Sequence, residues 1–192
     1  MNWRERLPVL QTRSVLLREL DLSDAPSLLH HVCREQVLRY IAQSPTSVEG
    51  FERFIRWSHV QRRRRSNICY GVVPARETAA VGLLQIWPIE PDFSTAEWGF
   101  VIGADYWGKG VFSRAAHLFL DFAFDTLGVL RLESRAVDAN TFGAAALTRL
   151  GARSEGRLRQ AFRQGDVLRD YVLWAILADE WAKARARSRG AN

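Results

Sequence analysis

Tyr106-Trp107-Gly108-Lys109-Gly110-Val111-Phe112-Ser113 is the stretch that decides the fold. The apolar run Ala96 to Ile102 before it reads as a strand, and Ser113 to Phe124 after it reads as a helix. A strand, a tight glycine turn and a helix N-terminus together make an anion-binding geometry. The first N–H groups of the helix have no partner within it, and its dipole favours negative charge there. Gly108 and Gly110 let the backbone approach a pyrophosphate with no Cβ between. The loop is therefore expected to hold a phosphorylated cofactor.

Working outward, Ser14 to Leu20 alternates as a first strand. Asp21 or Ser23 can cap a helical segment through Leu28, Leu29, Val32, Val37 and Leu38, broken in two. A helix starts near Ser47 and runs from Glu49 to Gln61, with Phe51, Phe54, Ile55 and Trp57 as its buried face. Ile68 to Val73, Ala80 to Ile89 and Thr95 to Ile102 are the second, third and fourth strands. After the helix Ser113 to Asp125 come a fifth strand (Val129 to Val137) and a short helix, Asn140 to Leu150, stopped by Gly151. Arg153 to Phe162 and Val167 to Leu177 form a hairpin about Gln164-Gly165-Asp166, and Asp179 to Arg189 closes the chain as a basic helix. The reading is one mixed α/β domain, 1–192, with its core at about 8–181 and a basic tail at 182–192. Three strands in succession before the glycine turn exclude a dinucleotide-binding βαβ repeat.

The formal net charge is +6 and the pI about 10.0, from a basic set that is almost all Arg; Lys109 and Lys183 are the lysines. Codon bias explains this blandly, and an acidic partner such as nucleic acid, a ribosome or cofactor phosphates explains it functionally. Arg62-Arg63-Arg64-Arg65 follows the Glu49 to Gln61 helix and can cap its negative end. With Cys33 and Cys69 alone, neither a disulfide framework nor metal-ligand spacing is expected. No apolar run reaches the ~18–20 residues that span a bilayer, and Met1 to Arg6 lacks a signal-peptide core. A cytoplasmic protein that does not enter membranes is the expectation.

The chain resembles GNAT-superfamily N-acetyltransferases of the RimJ/RimL type over roughly residues 8–181. Leu7 through Leu20 is similar to the family's first strand, and Glu97-Trp98-Gly99-Phe100-Val101-Ile102 through Gly110 to its acetyl-CoA motif. Asn140 with Arg149-Leu150-Gly151-Ala152, and then Gly165, Asp170-Tyr171 and Glu180-Trp181, resemble its later landmarks. The resemblance implies a mostly antiparallel mixed sheet, flanked by helices and splayed between the fourth and fifth strands. It implies acetyl-CoA as co-substrate, with pantetheine along the backbone of Gly99, Phe100, Val101 and Ile102. The pyrophosphate would rest on Trp107, Gly108, Lys109, Gly110, Val111, Phe112 and Ser113, and Asn140 would lie near the pantetheine arm. Gly99 suits a place where a bulge or a ligand nears the backbone.

Three positions depart from the family pattern: Phe112 stands where Gly or Ala is usual, Gly143 where Ser is frequent, and Leu147 where a Tyr often protonates the leaving thiolate. Glu97 is the candidate general base, since acetyl transfer needs a neutral amine. N–H groups near Phe100 to Ile102 would polarise the thioester carbonyl. His30 and His31 fall in the acceptor-side segment; one could steer the amine, and the commoner reading is one packed and one solvated histidine. Tyr171 could approach the thioester and Trp57, Trp87, Trp98 and Trp107 could line an acceptor pocket, but packing is the preferred reading for all five. The expected activity is direct acetyl transfer to a primary amine, either a protein N-terminal α-amine, as in ribosomal-protein acetylation, or a small molecule. Ribosome association, and a monomer or a homodimer, stay open. The alternative is a non-catalytic CoA-binding sensor or RNA-associated module on the same fold.

Overall fold

The computed structural model describes residues 3–41 and 43–190. Its elements are β1 (Leu10–Gln11), β2 (Val15–Glu19), α1 (Ala25–Val32), α2 (Glu35–Leu38), α3 (Val48–Arg64), β3 (Ile68–Pro74), β4 (Gly82–Pro88), β5 (Thr95–Ile102), α4 (Val111–Asp121), β6 (Arg131–Val137), α5 (Thr141–Arg149), β7 (Arg153–Gln164), β8 (Val167–Leu177) and α6 (Ala178–Gly190). Hydrogen-bonded neighbours follow the order β1-β2-β3-β4-β5-β6-β8-β7, eight strands in one mixed sheet. The short β1 is absent from the sequence reading, so its fourth and fifth strands are β5 and β6 here.

The chain forms two compact units. One takes the chain up to Trp87 with Gly99–Leu120, and the other takes Pro88–Trp98 with the chain from Asp121 onward. Strand β5 contributes Gly99–Ile102 to the first and Thr95–Trp98 to the second.

In the first unit β3 is buried along its whole length, as its unbroken apolar sequence requires. Leu20, Leu28, Val32, Phe51, Ile55 and Val73 form a core against α1 and α3. Asp21 caps the turn that leads into α1, and fully buried Asp24 is held by a bidentate pair from Arg18 (2.7 and 2.8 Å) and by the Ala80 N–H. A Cβ on Gly82 would collide with the Val101 carbonyl, so only glycine permits this approach of β4 to the end of β5.

Two expectations about α3 are corrected. The helix continues through Arg64, so the arginine run is its last turn rather than its sequel. Arg62 is buried there, and its Nε donates to Glu19 at 2.6 Å. Trp57 is not on the buried face; it is 45% exposed and stacks on Phe54.

In the second unit β6 pairs in parallel with β5 through Thr95–Arg131, Ala96–Leu132 and Glu97–Glu133, where the ladder ends. Strand β8 runs antiparallel to β6 from Arg131–Leu177 to Val137–Tyr171, and β7 closes the hairpin with two register shifts. Gly165, at φ 59°, makes the turn. Past α4 the backbone widens to a π turn over Phe122–Thr126. Buried Trp181 of α6 donates to Asp121 at 2.8 Å, and Arg185 bridges Asp121 and Asp125.

Candidate active site

The first unit carries the glycine loop. After Ile102 the chain makes one tight turn over Ala104–Tyr106, and Trp107 is extended. Gly108 and Gly110 both have positive φ, 70° and 73°, which an L side chain adopts only under strain. A Cβ on Gly108 would meet nothing within 4 Å, so the loop faces open space there, with room for a phosphate. Helix α4 begins at Val111, two residues before the sequence suggests, which brings the N–H groups of the loop and of the first helical turn together. The Trp107 indole donates to the Ile102 carbonyl at 2.8 Å, and Arg114 donates to the Lys109 carbonyl at 2.9 Å. Both bonds tie the loop to its flanks, while Lys109 is exposed.

Phe112, the departure that most threatened the loop, packs on Phe100 with ring centroids 4.3 Å apart. It is half-buried against β5, and this bulky residue anchors the start of α4. The close neighbour at Gly99 is the Trp87 indole, 3.3 Å from where a Cβ would stand. Beside the loop, Asp105 receives Arg34 at 2.9 Å, and Arg34 also lies 3.0 Å from His30 Nε2. His31 is half-buried next to exposed His30, and burial, then the His30 charge, hold it below the ordinary imidazole value. The ligand atoms of His30, His31 and Asp105 lie within 4.8 Å of one another, but the Arg34 guanidinium already serves Asp105 and His30.

The second unit carries Glu97, the candidate base, and the titratable side chains beside it. Glu97 is buried on β5, and its Oε2 lies 3.5 Å from the Arg135 guanidinium. Residues 131, 133 and 135 alternate onto one face of β6, and the Glu97–Glu133 register puts Glu97 on that same face. Tyr171, on the same face of β8, is raised above the ordinary phenol value first by burial and then by the Glu97 charge, with Arg135 opposing. The phenol therefore stays protonated at neutral pH. Its ring meets Phe162 edge-on at 5.4 Å. A carboxylate, a cation and a protonated phenol on one sheet face can take a proton, favour a neutral amine and give a proton back.

Asn140 caps α5, its Oδ1 accepting from the Gly143 N–H at 2.9 Å, which leaves the amide N–H groups to donate. A Cβ on Gly143 would stand 2.6 Å from Asn140 Nδ2, so glycine at 143 suits this cap. Leu147 is fully buried, which excludes a polar donor at that position. Sequence reasoning missed Arg135 and preferred packing for Tyr171 over an approach to the thioester. The alternation of Arg131, Glu133 and Arg135 was the available signal, but only the cross-strand register shows which of them meets Glu97.

Residues 14–153 match the acetyltransferase (GNAT) domain family, a stretch that runs through the glycine loop, Glu97 and Asn140. An uncharacterised N-acetyltransferase, p20, of Bacillus licheniformis is 25% identical over 92% of this chain and 99% of its own length. The spermidine N(1)-acetyltransferase of Escherichia coli K12 is 28% identical over 88% of each chain. Mycobacterium smegmatis RimJ, solved with CoA-disulfide, shares the fold at a TM-score of 0.82, with 21% identity over 95% of this chain and 93% of that one. A glycine loop at a helix N-terminus, a strand ladder that ends at Glu97 and a family match over most of the sequence agree: the chain belongs to the GNAT acetyltransferases.

Proposed function

We propose that this enzyme, which passes an acetyl group from acetyl-CoA to an amine as its family does, acts on the α-amine at a peptide N-terminus, a ribosomal protein being the model target. The Glu97–Arg135 pair carries the reading. An amine attacks only when neutral. A lysine or polyamine amine, with a pKa of about 10.4, is almost wholly cationic at pH 7, whereas an α-amine at about 7.7–8.0 is partly neutral. A guanidinium 3.5 Å from the proposed base repels a second cation. The site thus favours a weakly basic amine over spermidine, and the net charge of +6 acts in the same direction.

In this reading the amine nitrogen attacks the thioester carbon directly. Glu97 accepts the proton from nitrogen, and the C–S bond breaks to release the thiol of CoA. The N–H groups of Phe100 to Ile102 face the carbonyl oxygen, and the backbone of Gly99 to Ile102 offers strand-like partners to the pantetheine amides. Trp107 to Ser113 hold the pyrophosphate through backbone N–H groups, with Lys109 adding charge. The Asn140 amide donates toward the pantetheine arm. Leu147 supplies no proton, so Tyr171 or water protonates the thiolate, an undemanding step for a thiol of pKa about 8.5.

We further take residues 1–192 as one catalytic domain, since the matched stretch passes through both units. A cytoplasmic setting suits its two free cysteines. No helix among the described residues is long and apolar enough to cross a membrane. The test is CoA release with a panel of short peptides, free amino acids and spermidine at pH 7.5. Peptides with free α-amines are expected to be the best acceptors, and preference for spermidine overturns the reading.

A further inference from the structure

Helix α3 buries Phe51, Ile55, Ser58 and Arg62, which leaves Arg53, Arg56, Trp57, Arg63, Arg64 and Arg65 exposed at and beside its outer face. Residues 53, 57, 60 and 64 recur at i, i+4, i+7 and i+11. Two of these arginines and the tryptophan therefore share one stripe, about 16 Å long, with Arg56 and Arg63 along its side. Glu49 and Glu52 are the acids of the helix, both in its first half, and Glu52 pairs with Arg56 at 3.1 Å. No carboxylate pairs with Arg63, Arg64 or Arg65 among the described residues, and like charges so close on a helix repel. Arg65 also adopts φ 60°, the left-handed conformation at a helix end in which glycine is usual. Trp57, 45% exposed, is backed by Phe54, with ring centroids 5.8 Å apart and planes at 28°.

The helix dipole favours cations in the last turn, and Arg63 and Arg64 answer it. It accounts neither for Arg53 and Arg56, two or more turns earlier, nor for an exposed indole among the charges. We propose that the outer face of α3 is a docking surface for single-stranded RNA, with the arginines on its phosphates and Trp57 stacked on a base. Phosphates supply the affinity, because each one that a guanidinium neutralises releases a condensed counterion. The planar guanidinium fork also takes two oxygens of one phosphate, where a lysine acts as a point charge. Trp57 selects nucleic acid over an acidic protein. A base of any identity stacks on an indole, and Phe54 holds this indole in place. An acidic peptide would use the charges and leave the ring idle. Unpaired bases are the ones with a free face, so a single strand is favoured over a duplex. The surface lies wholly within the first unit and involves no acceptor, so the proposal is independent of the peptide reading. Such a surface would keep the enzyme beside proteins that are themselves bound to RNA.

The experiment follows the fluorescence anisotropy of a labelled 12-nucleotide single-stranded RNA of mixed sequence as native protein is added, from 50 to 200 mM KCl. The same RNA as a duplex and an acidic peptide of matched charge are the comparisons. Native protein is expected to bind the single strand with a Kd of about 1–100 μM and to prefer it to both. The triple variant Arg53→Gln/Arg63→Gln/Arg64→Gln should bind at least about tenfold more weakly. Its slope of log affinity on log salt should be shallower by about 2, the value for three phosphates of a single strand. Trp57→Ala should weaken binding about fivefold or more and keep the slope. Acetyl-CoA affinity should be unchanged in both, which shows that the fold is intact. A charge-matched control, Arg149→Gln/Arg159→Gln/Arg163→Gln, removes three exposed arginines from outside the helix and should stay within about twofold of native protein. Any one of four results overturns the inference: no RNA binding at 50 mM KCl, equal binding of the duplex or the acidic peptide, no effect of Trp57→Ala, or an equal loss in the control.

Discussion

Glu97 Oε2 and the Arg135 guanidinium stand 3.5 Å apart on neighbouring strands, the carboxylate buried and the guanidinium 43% exposed. The pair puts a carboxylate, the proposed base, beside a cation that would oppose protonation of an incoming amine. Arg135→Gln removes that opposition. The acidic limb of the kcat–pH profile, which reports the bound amine, should then move to higher pH, by less than about one unit because water screens so exposed a charge. An unmoved limb would detach Arg135 from the chemistry.

Glu97→Gln removes the proton acceptor and keeps the shape. A general base contributes about 10²- to 10⁴-fold, so kcat should fall within that range. The deficit should be greatest at low pH, where little amine is already neutral, and acetyl-CoA affinity should hardly change. A uniform loss across pH would assign Glu97 to structure instead.

The glycine loop invites a different substitution. Gly110 has φ 73°, and a Cβ there would stand 2.8 Å from the Arg114 guanidinium. Gly110→Asp adds strain and a negative charge where the account places pyrophosphate. It should weaken acetyl-CoA binding more than tenfold by calorimetry, since the strain alone costs about 1–2 kcal/mol. Unchanged affinity would remove the loop from the cofactor site.

Arg62 tests the fold rather than the chemistry. Its guanidinium is buried, pairs with Glu19 and donates to the Arg4 carbonyl. Arg62→Ala takes the guanidinium from part-exposed Glu19, which keeps His59 at 3.8 Å, and should cost about 1–3 kcal/mol in urea unfolding. Arg63→Ala, one residue along the same helix on its exposed face, should stay within about 0.5 kcal/mol.

Cys69 provides a pH prediction. Burial pushes its thiol up to about 12, from an ordinary value of 9.0. A raised folded value means that the native state holds its proton more tightly than the unfolded chain. That contribution to stability is intact below about pH 9 and is lost as pH rises toward 12. In native protein at pH 8, iodoacetamide should therefore spare Cys69 and react with it only after unfolding, as peptide mapping would show.

The elements that govern the fold were legible where local chemistry is self-sufficient. Thr95–Ile102 was bounded correctly because an apolar strand runs straight into a glycine turn, and Gly151 and Gly165 marked the end of α5 and the hairpin through the backbone freedom they supply. Asp21 was visible as a cap because capping is decided within three residues. The ion pairs were not legible. Arg62 meets Glu19 across 43 positions of sequence and Arg135 meets Glu97 across 38, and either arginine could have lain in solvent on local grounds. Trp57 failed for a related reason, since helical period places it near the buried stripe but only tertiary packing decides where that stripe ends. Phe112 looked like a defect in the loop until Phe100 was seen beneath it.

The most direct measurement offers the enzyme one peptide with a free α-amine and an internal lysine, with acetyl-CoA at pH 7.5, and locates the product by fragment mass spectrometry. The account predicts a single acetyl group on the α-amine and none on the lysine, with the reaction strongly slowed in Glu97→Gln. Acetylation of the lysine side chain in preference to the α-amine would contradict it.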